Sequence, residues 1–172
     1  MMRRRGVLSL VVAGLFLCAL ASGAQTAEGT ITAGGVQGFF KLNCPYEPSL
    51  QQLVARYSGV VPPTATEGQA GTRVVDFPQL GLRLQVDRAG MINEITVLAP
   101  EALVGDRSPV PLVTDKDIRV GDSRIKMAAQ YPGHPKVVGQ IYHYGSIGFE
   151  ISDENRVVAI ILAGERGGAC GN

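Results

Sequence analysis

The residues able to do chemistry are few. Gly121-Asp122-Ser123-Arg124 has the order of a serine-esterase block, in which a Ser on a strand-to-helix turn attacks and a downstream Asp and His supply the base. The histidines are His134 and His143, and Asp153 is the only Asp after Ser123. No Asp-x-x-His follows, and little chain remains to build a site around such a base. A Ser just ahead of a helical pattern also suits an N-cap, where its hydroxyl accepts from a free backbone N–H. That is the reading adopted for Ser123.

Other constellations are equally thin. His134 lies in the turn Pro132-Gly-His-Pro135 and His143 in an expected strand, with no Cys or carboxylate at metal-ligand spacing. Asp115-Lys-Asp117 lacks the remaining ligands of a calcium loop. Gly34-Gly35-Val-Gln-Gly38 lacks the Lys and the strand–helix context of a phosphate loop. Glu150 and Asp153 are a common strand-and-turn pair rather than an acid–base couple. The sequence therefore gives no catalytic residue, no metal ligand and no cofactor, and the chain is expected not to be an enzyme. Tyr142, His143 and Tyr144 are the candidate partner surface, because Tyr offers apolar area and a hydroxyl at low entropy cost.

Compartment is read from the first residues and the cysteines. Met1 to Arg5 is basic, Gly6 to Leu20 is almost unbroken apolar sequence, and small residues follow at Ala19-Leu-Ala21 and Ser22-Gly-Ala24. This is the three-part pattern of a signal peptide, cut after Ala21 or Ala24. Its apolar run is short for a membrane span, so no span is expected after cleavage. Cys18 follows Leu15-Phe-Leu17, which has a bulky Leu where a lipobox wants a small residue. Removing residues 1–24 leaves 148 residues with 13 basic and 15 acidic side chains, a net charge of −2. That balance gives no basic surface for nucleic acid. Cys44 and Cys170 remain and are expected to pair in an oxidising compartment, the rival being two free thiols.

The elements that would position these residues look duplicated. Ser49 to Gly59 and Ser123 to Gly133 share Ser, Ala, Tyr and Gly at the same offsets. Each reads as a helix capped by its Ser and ended by its Gly. The apolar face is Leu50, Leu53, Val54 and Tyr57 in one, and Ile125, Ala128 and Ala129 in the other. Leu80-Gly-Leu-Arg-Leu84 answers Ile147-Gly-Phe-Glu-Ile151 as an alternating strand. Return strands follow at 91–98 and 156–162, the second apolar on both faces and so expected to be central. Preceding strands are expected at 73–77 and 137–144. The expected organisation is a signal peptide at 1–24, a helix-and-antiparallel-sheet unit at 25–98, a Pro-containing connection at 99–117 and a second unit at 118–172. The fold class is α+β, two tandem helix-plus-antiparallel-hairpin units sharing one sheet or core.

Ile118-Arg-Val-Gly121-Asp-Ser123, Tyr131-Pro-Gly133, Gly148-Phe-Glu-Ile151 and Val157 to Leu162 carry a resemblance. In layout, over most of the chain after the signal, it resembles secreted bacterial proteins of the β-lactamase-inhibitory-protein type and related small envelope lipoproteins of the outer-membrane assembly type. The chain lacks Trp, and no inhibitory contact residue carries over. The resemblance implies an exported, periplasmic or secreted protein that binds a protein partner, inhibitor- or immunity-like. The alternative is a structural or assembly factor of the envelope, with a small hydrolase a distant third.

Overall fold

Alternation of apolar and polar residues lays down the long strands. The computed structural model describes residues 29–56, 63–68, 71–99, 112–164 and 170. The expected signal peptide, Tyr57, Gly59 and most of the 99–117 connection lie outside the described residues. Among the described residues the fold is mixed α+β but strand-dominated, with two helices and two sheets, one of four strands and one of eight.

The small sheet comprises β1 (Thr30–Thr32), β2 (Gly35–Val36), β3 (Phe40–Lys41) and β8 (Val113–Thr114), in the order β3-β2-β1-β8. Its β1–β8 pairing is parallel and brings the segment after the 99–117 connection onto the first strand. The large sheet contains β4 (Thr64–Glu67), β5 (Arg73–Phe77), β6 (Leu82–Val86), β7 (Ile92–Leu98), β9 (Lys136–Val138), β10 (Ile141–Tyr144), β11 (Ile147–Ile151) and β12 (Val157–Ala163). Its order is β4-β5-β6-β7-β12-β11-β10-β9, antiparallel throughout. The expected strand at 73–77 is β5. The apolar return strand β12 does lie in the middle, between β7 and β11. The strand expected over 137–144 is two, β9 and β10, because Gly139 turns the chain at φ +60°.

Register assigns each side chain to a face. Val75, Leu84, Ile95, Leu162, Ile147 and Tyr144 run across one face, and Phe77, Leu82, Val97, Ile160, Phe149 and Tyr142 make a second row. Of these only the two tyrosines are not fully buried, and the helices and the small sheet pack here. Phe40 of β3 lies 5.1 Å from Phe77, and Tyr131 at the end of α2 lies 4.8 Å from Phe149. Each fully buried Phe or Leu contributes about 1.5–3 kcal/mol of transfer free energy.

Helix α1 (Tyr46–Arg56) buries Tyr46 and Leu53, with Leu50 packed on the core. It starts before Ser49, whose hydroxyl donates back to the Pro45 carbonyl at 2.8 Å. Ser49 is therefore a residue inside the first turn and not the expected N-cap. Val54 is 53% exposed and leaves the expected apolar face. Helix α2 (Arg124–Gln130) is capped by Ser123 as expected, its hydroxyl accepting from the Lys126 N–H. The buried residue of this helix is Met127, while Ile125 is 83% exposed and Ala128 and Ala129 face solvent. The helix starts at Arg124, so its seven residues bury only a narrow strip, and that strip runs through Met127 to Tyr131 at its C-cap.

Ahead of each helix the chain hooks onto a hairpin through the same backbone bonds. The Asn43 N–H donates to the Ile92 carbonyl, the Ile92 N–H to Cys44 and the Tyr46 N–H to Gly90. Before α2, Gly121 donates to Val157, Val157 to Asp122 and Arg124 to Asn155. The hook residues Asn43 and Gly121 both have positive φ, as do the turn residues Gly90 and Asn155. Asn and Gly are the residues that adopt this conformation at least cost. Both hairpins also slip register at one place, between Gln85 and Val86 and between Glu150 and Ile151. Counted from these shared bonds, β6 begins at Leu82 where β11 begins at Ile147, and Leu80 lies in a 3-10 turn. The strand expected over Leu80–Leu84 therefore starts two residues later, at Leu82.

Candidate functional site

The two faces of the large sheet differ in what covers them. Helices and small sheet cover the face just described. The opposite face is read from the same register. One row crosses it as Asp76, Arg83, Thr96, Ile161, Gly148, His143 and Lys136. Beside it stand Gln85, Glu94 and Ala163 on one side, and Leu98, Ala159, Glu150, Ile141 and Val138 on the other.

The β4–β7 part of this open face is largely polar and internally paired, with half-buried Val74 in the row of Gln85 and Glu94. Arg83 donates from Nε to Asp76 Oδ1 at 2.7 Å, and the paired carboxylate raises the Arg83 pKa above its ordinary value. Gln85 Nε2 donates to Glu94 Oε1 at 2.7 Å, and the Thr96 hydroxyl also reaches Glu94, at 3.4 Å.

The β9–β12 part is mostly apolar, with His143 and Lys136 toward its β9 edge. Ile161, Leu98 and Ile141 are half-buried around buried Gly148 and Ala159, and Val138 at the edge is 53% exposed. Gly148 lets the His143 and Ile141 side chains close over the strand. A Cβ on it would stand 3.1 Å from His143 Nδ1 and 3.1 Å from Ile141 Cγ2. One carboxylate, Glu150, interrupts this strip. Among the described residues it has neither a side-chain hydrogen bond nor an ion pair.

The candidate partner residues separate. His143 lies half-buried on the open face over Gly148. Tyr142 and Tyr144 point to the covered face, where Tyr144 packs 5.5 Å from Tyr131 and 6.1 Å from Phe149. The Arg124 guanidinium sits 4.8 Å over the Tyr142 ring. Tyr131 donates to Asp115 at 3.4 Å, Lys116 lies 4.5 Å from its ring, and burial raises its pKa.

The residues weighed for catalysis are dispersed. Ser123 is occupied as the N-cap of α2. Asp122 accepts from the Arg119 N–H and from Lys126 Nζ, both at 3.0 Å. Burial alone would raise its pKa, but these two donors outweigh it and hold the carboxyl below its ordinary value. Asp153 accepts from Gln140 in a hairpin turn, and His134 is exposed. Among the described residues no three His, Cys, Asp or Glu side chains converge to hold a metal.

Cys44 and Cys170 are joined as a disulfide across 126 residues of sequence, with Cα atoms 4.7 Å apart. It lines a groove of about 790 Å³ between α1 and the β2–β3 turn, with Phe39, Pro45, Pro48, Gln52 and Leu53. Among the described residues no helix is long and apolar enough to cross a membrane.

The open-face strip was not found from sequence. Its signal was present: β12 and, Glu150 apart, β11 carry apolar or small residues on both faces, where β6 and β7 alternate with charged and polar ones. Grouping those residues into one surface needs the strand register. No family model, no curated protein and no solved structure matches this chain.

Proposed function

We propose that this is an exported, non-catalytic protein that binds a protein partner through the open face of β10, β11, β12 and the end of β7. The observation that carries this reading is the apolar strip of Ile141, Ile161, Leu98 and Val138, held on the sheet beside a largely polar and internally paired part of the same face. Apolar strips with polar margins are where protein partners dock. The disulfide and the signal-like first residues support a site of action outside the cytoplasm, in the envelope or beyond.

The tandem organisation belongs to the same proposal. The units are related by their hooks and hairpins, Asn43 with Gly121 and Leu82 with Ile147, rather than by Ser49 with Ser123. The shared hydrogen bonds, the positive-φ residues and the matching register slips support it. On this reading the second unit supplies most of the binding surface, and the first adds Leu98 at the end of β7.

The test is capture from the producer's envelope and secreted fraction by the mature protein, with Val138→Arg and Ile161→Arg run beside it. The expected result is a retained protein lost from both variants, each variant keeping the native circular dichroism spectrum. Identical retention by all three proteins would overturn the reading.

A further inference from the structure

We infer that Glu150 anchors a basic side chain of the partner, so that the docking segment is apolar with a Lys or Arg at its centre. This rests on the open face being the partner surface. The argument starts from two positions that correspond in the two hairpins. Gln85 and Glu150 each immediately precede a register slip, and each faces a residue of the return strand, Glu94 in one hairpin and Ala159 in the other. In the first hairpin the carboxylate of Glu94 is met by the Gln85 amide at 2.7 Å and by Thr96. In the second the partner position is Ala159, and the position of Thr96 is taken by Ile161. The residues that face the carboxylate across the strands, Ala159 and Ile141, are apolar, and among the described residues the polar group left nearby, His143 over Gly148, makes no hydrogen bond or ion pair with it.

A half-buried carboxylate among Ala159, Leu98 and Ile141 is hydrated only from the open side. An apolar partner laid on the strip would remove that water and leave the charge uncompensated. A partner carrying a guanidinium or ammonium group at this point removes the penalty, and a guanidinium fork matches both carboxylate oxygens. Lys136 stands at the exposed edge strand, in the row of His143, and not beside Ala159. The cation therefore enters over the β11–β12 side.

The experiment uses the mature disulfide-bonded protein and three synthetic pentapeptides, acetyl-Val-Leu-X-Leu-Val-amide, with X as Arg, citrulline or Glu. Binding is followed by amide shifts in two-dimensional NMR. The expected result is shifts confined to β10–β12 and the end of β7, with the Arg peptide about fivefold tighter than its neutral citrulline analogue. That preference should vanish in Glu150→Gln, and in wild type it should shrink with added salt. Equal binding of all three peptides at this face would overturn the anchor and leave the binding surface standing. Shifts nowhere on this face would overturn both.

Discussion

The two hairpins at the centre of the large sheet have the same backbone and opposite surfaces. Leu82–Leu98 and Ile147–Ala163 share their turn hydrogen bonds, Gly90 to Asp87 in one and Asn155 to Ser152 in the other, and each receives the residues ahead of a helix in the same way. On the covered face both present large apolar residues. On the open face one presents Arg83, Gln85, Glu94 and Thr96, each paired, and the other Gly148, Glu150, Ala159 and Ile161. The covered face is constrained in both by packing, so it does not distinguish them. The open face is free to differ, and its difference is what points to function.

The hooks differ as well. Cys44 fastens the first through the disulfide, while Asp122 takes the corresponding place in the second and works through charge. Breaking the first fastening has the largest expected effect. Cys44→Ser with Cys170→Ser should lower unfolding free energy by about 4–5 kcal/mol in denaturant titration, from the chain entropy of so long a loop. A loss below about 1 kcal/mol would show that the bond is not what holds this end.

The positive-φ position of the hooks gives a smaller and asymmetric effect. Gly121 has φ +95° and open space where a Cβ would go, so Gly121→Ala should cost about 1–2 kcal/mol from backbone strain alone. Asn43→Gly should leave stability within about 0.5 kcal/mol, because both residues accept φ 58°. Equal costs for the two would break the correspondence of the hooks.

Ser123→Ala should cost about 1 kcal/mol by removing the cap of α2, whereas Ser49→Ala should cost less, since Ser49 only bonds back within its own helix. The charged hook also has a pH signature. Asp122 titrates below its ordinary value when folded, so its contribution is present above the unfolded pKa and is lost as pH falls through the folded one. The stability gap between wild type and Asp122→Asn should close in acid, read as thermal midpoints in a pH series. The smallest effect is expected from Asp76→Asn on the polar part of the open face, within about 0.5 kcal/mol, because its Arg83 partner is largely solvated.

Much of the strand layout was legible in sequence. Arg73-Val-Val-Asp-Phe77 and Ile147 to Ile151 are strands because their patterns fit a half-buried pleat, and the all-apolar β12 is central because both its neighbours cover it. The helices were less legible. Ile125 and Val54 fit a 3.6-residue period yet point outward, because helix starts at Tyr46 and Arg124 rotate the buried strip onto Leu53 and Met127. Ser49 and Ser123 are identical letters in different roles, whereas Asn43 and Gly121 share a positive φ through different letters. Strands of two or three residues, such as β2, β3 and β8, carry no period to read. The candidate site was half visible. His143 was named, but its companions Ile161, Leu98 and Glu150 come from other strands and meet it only through register.

The most direct test of the binding surface compares the two edges of the open face. A photo-crosslinking amino acid is placed at Val138 on β9 or at Thr66 on β4, both exposed positions of this face, and irradiated in the producing cells. A discrete protein adduct from Val138 and none from Thr66 is the expected result. An adduct from Thr66 alone, or the same adducts from both, would contradict it.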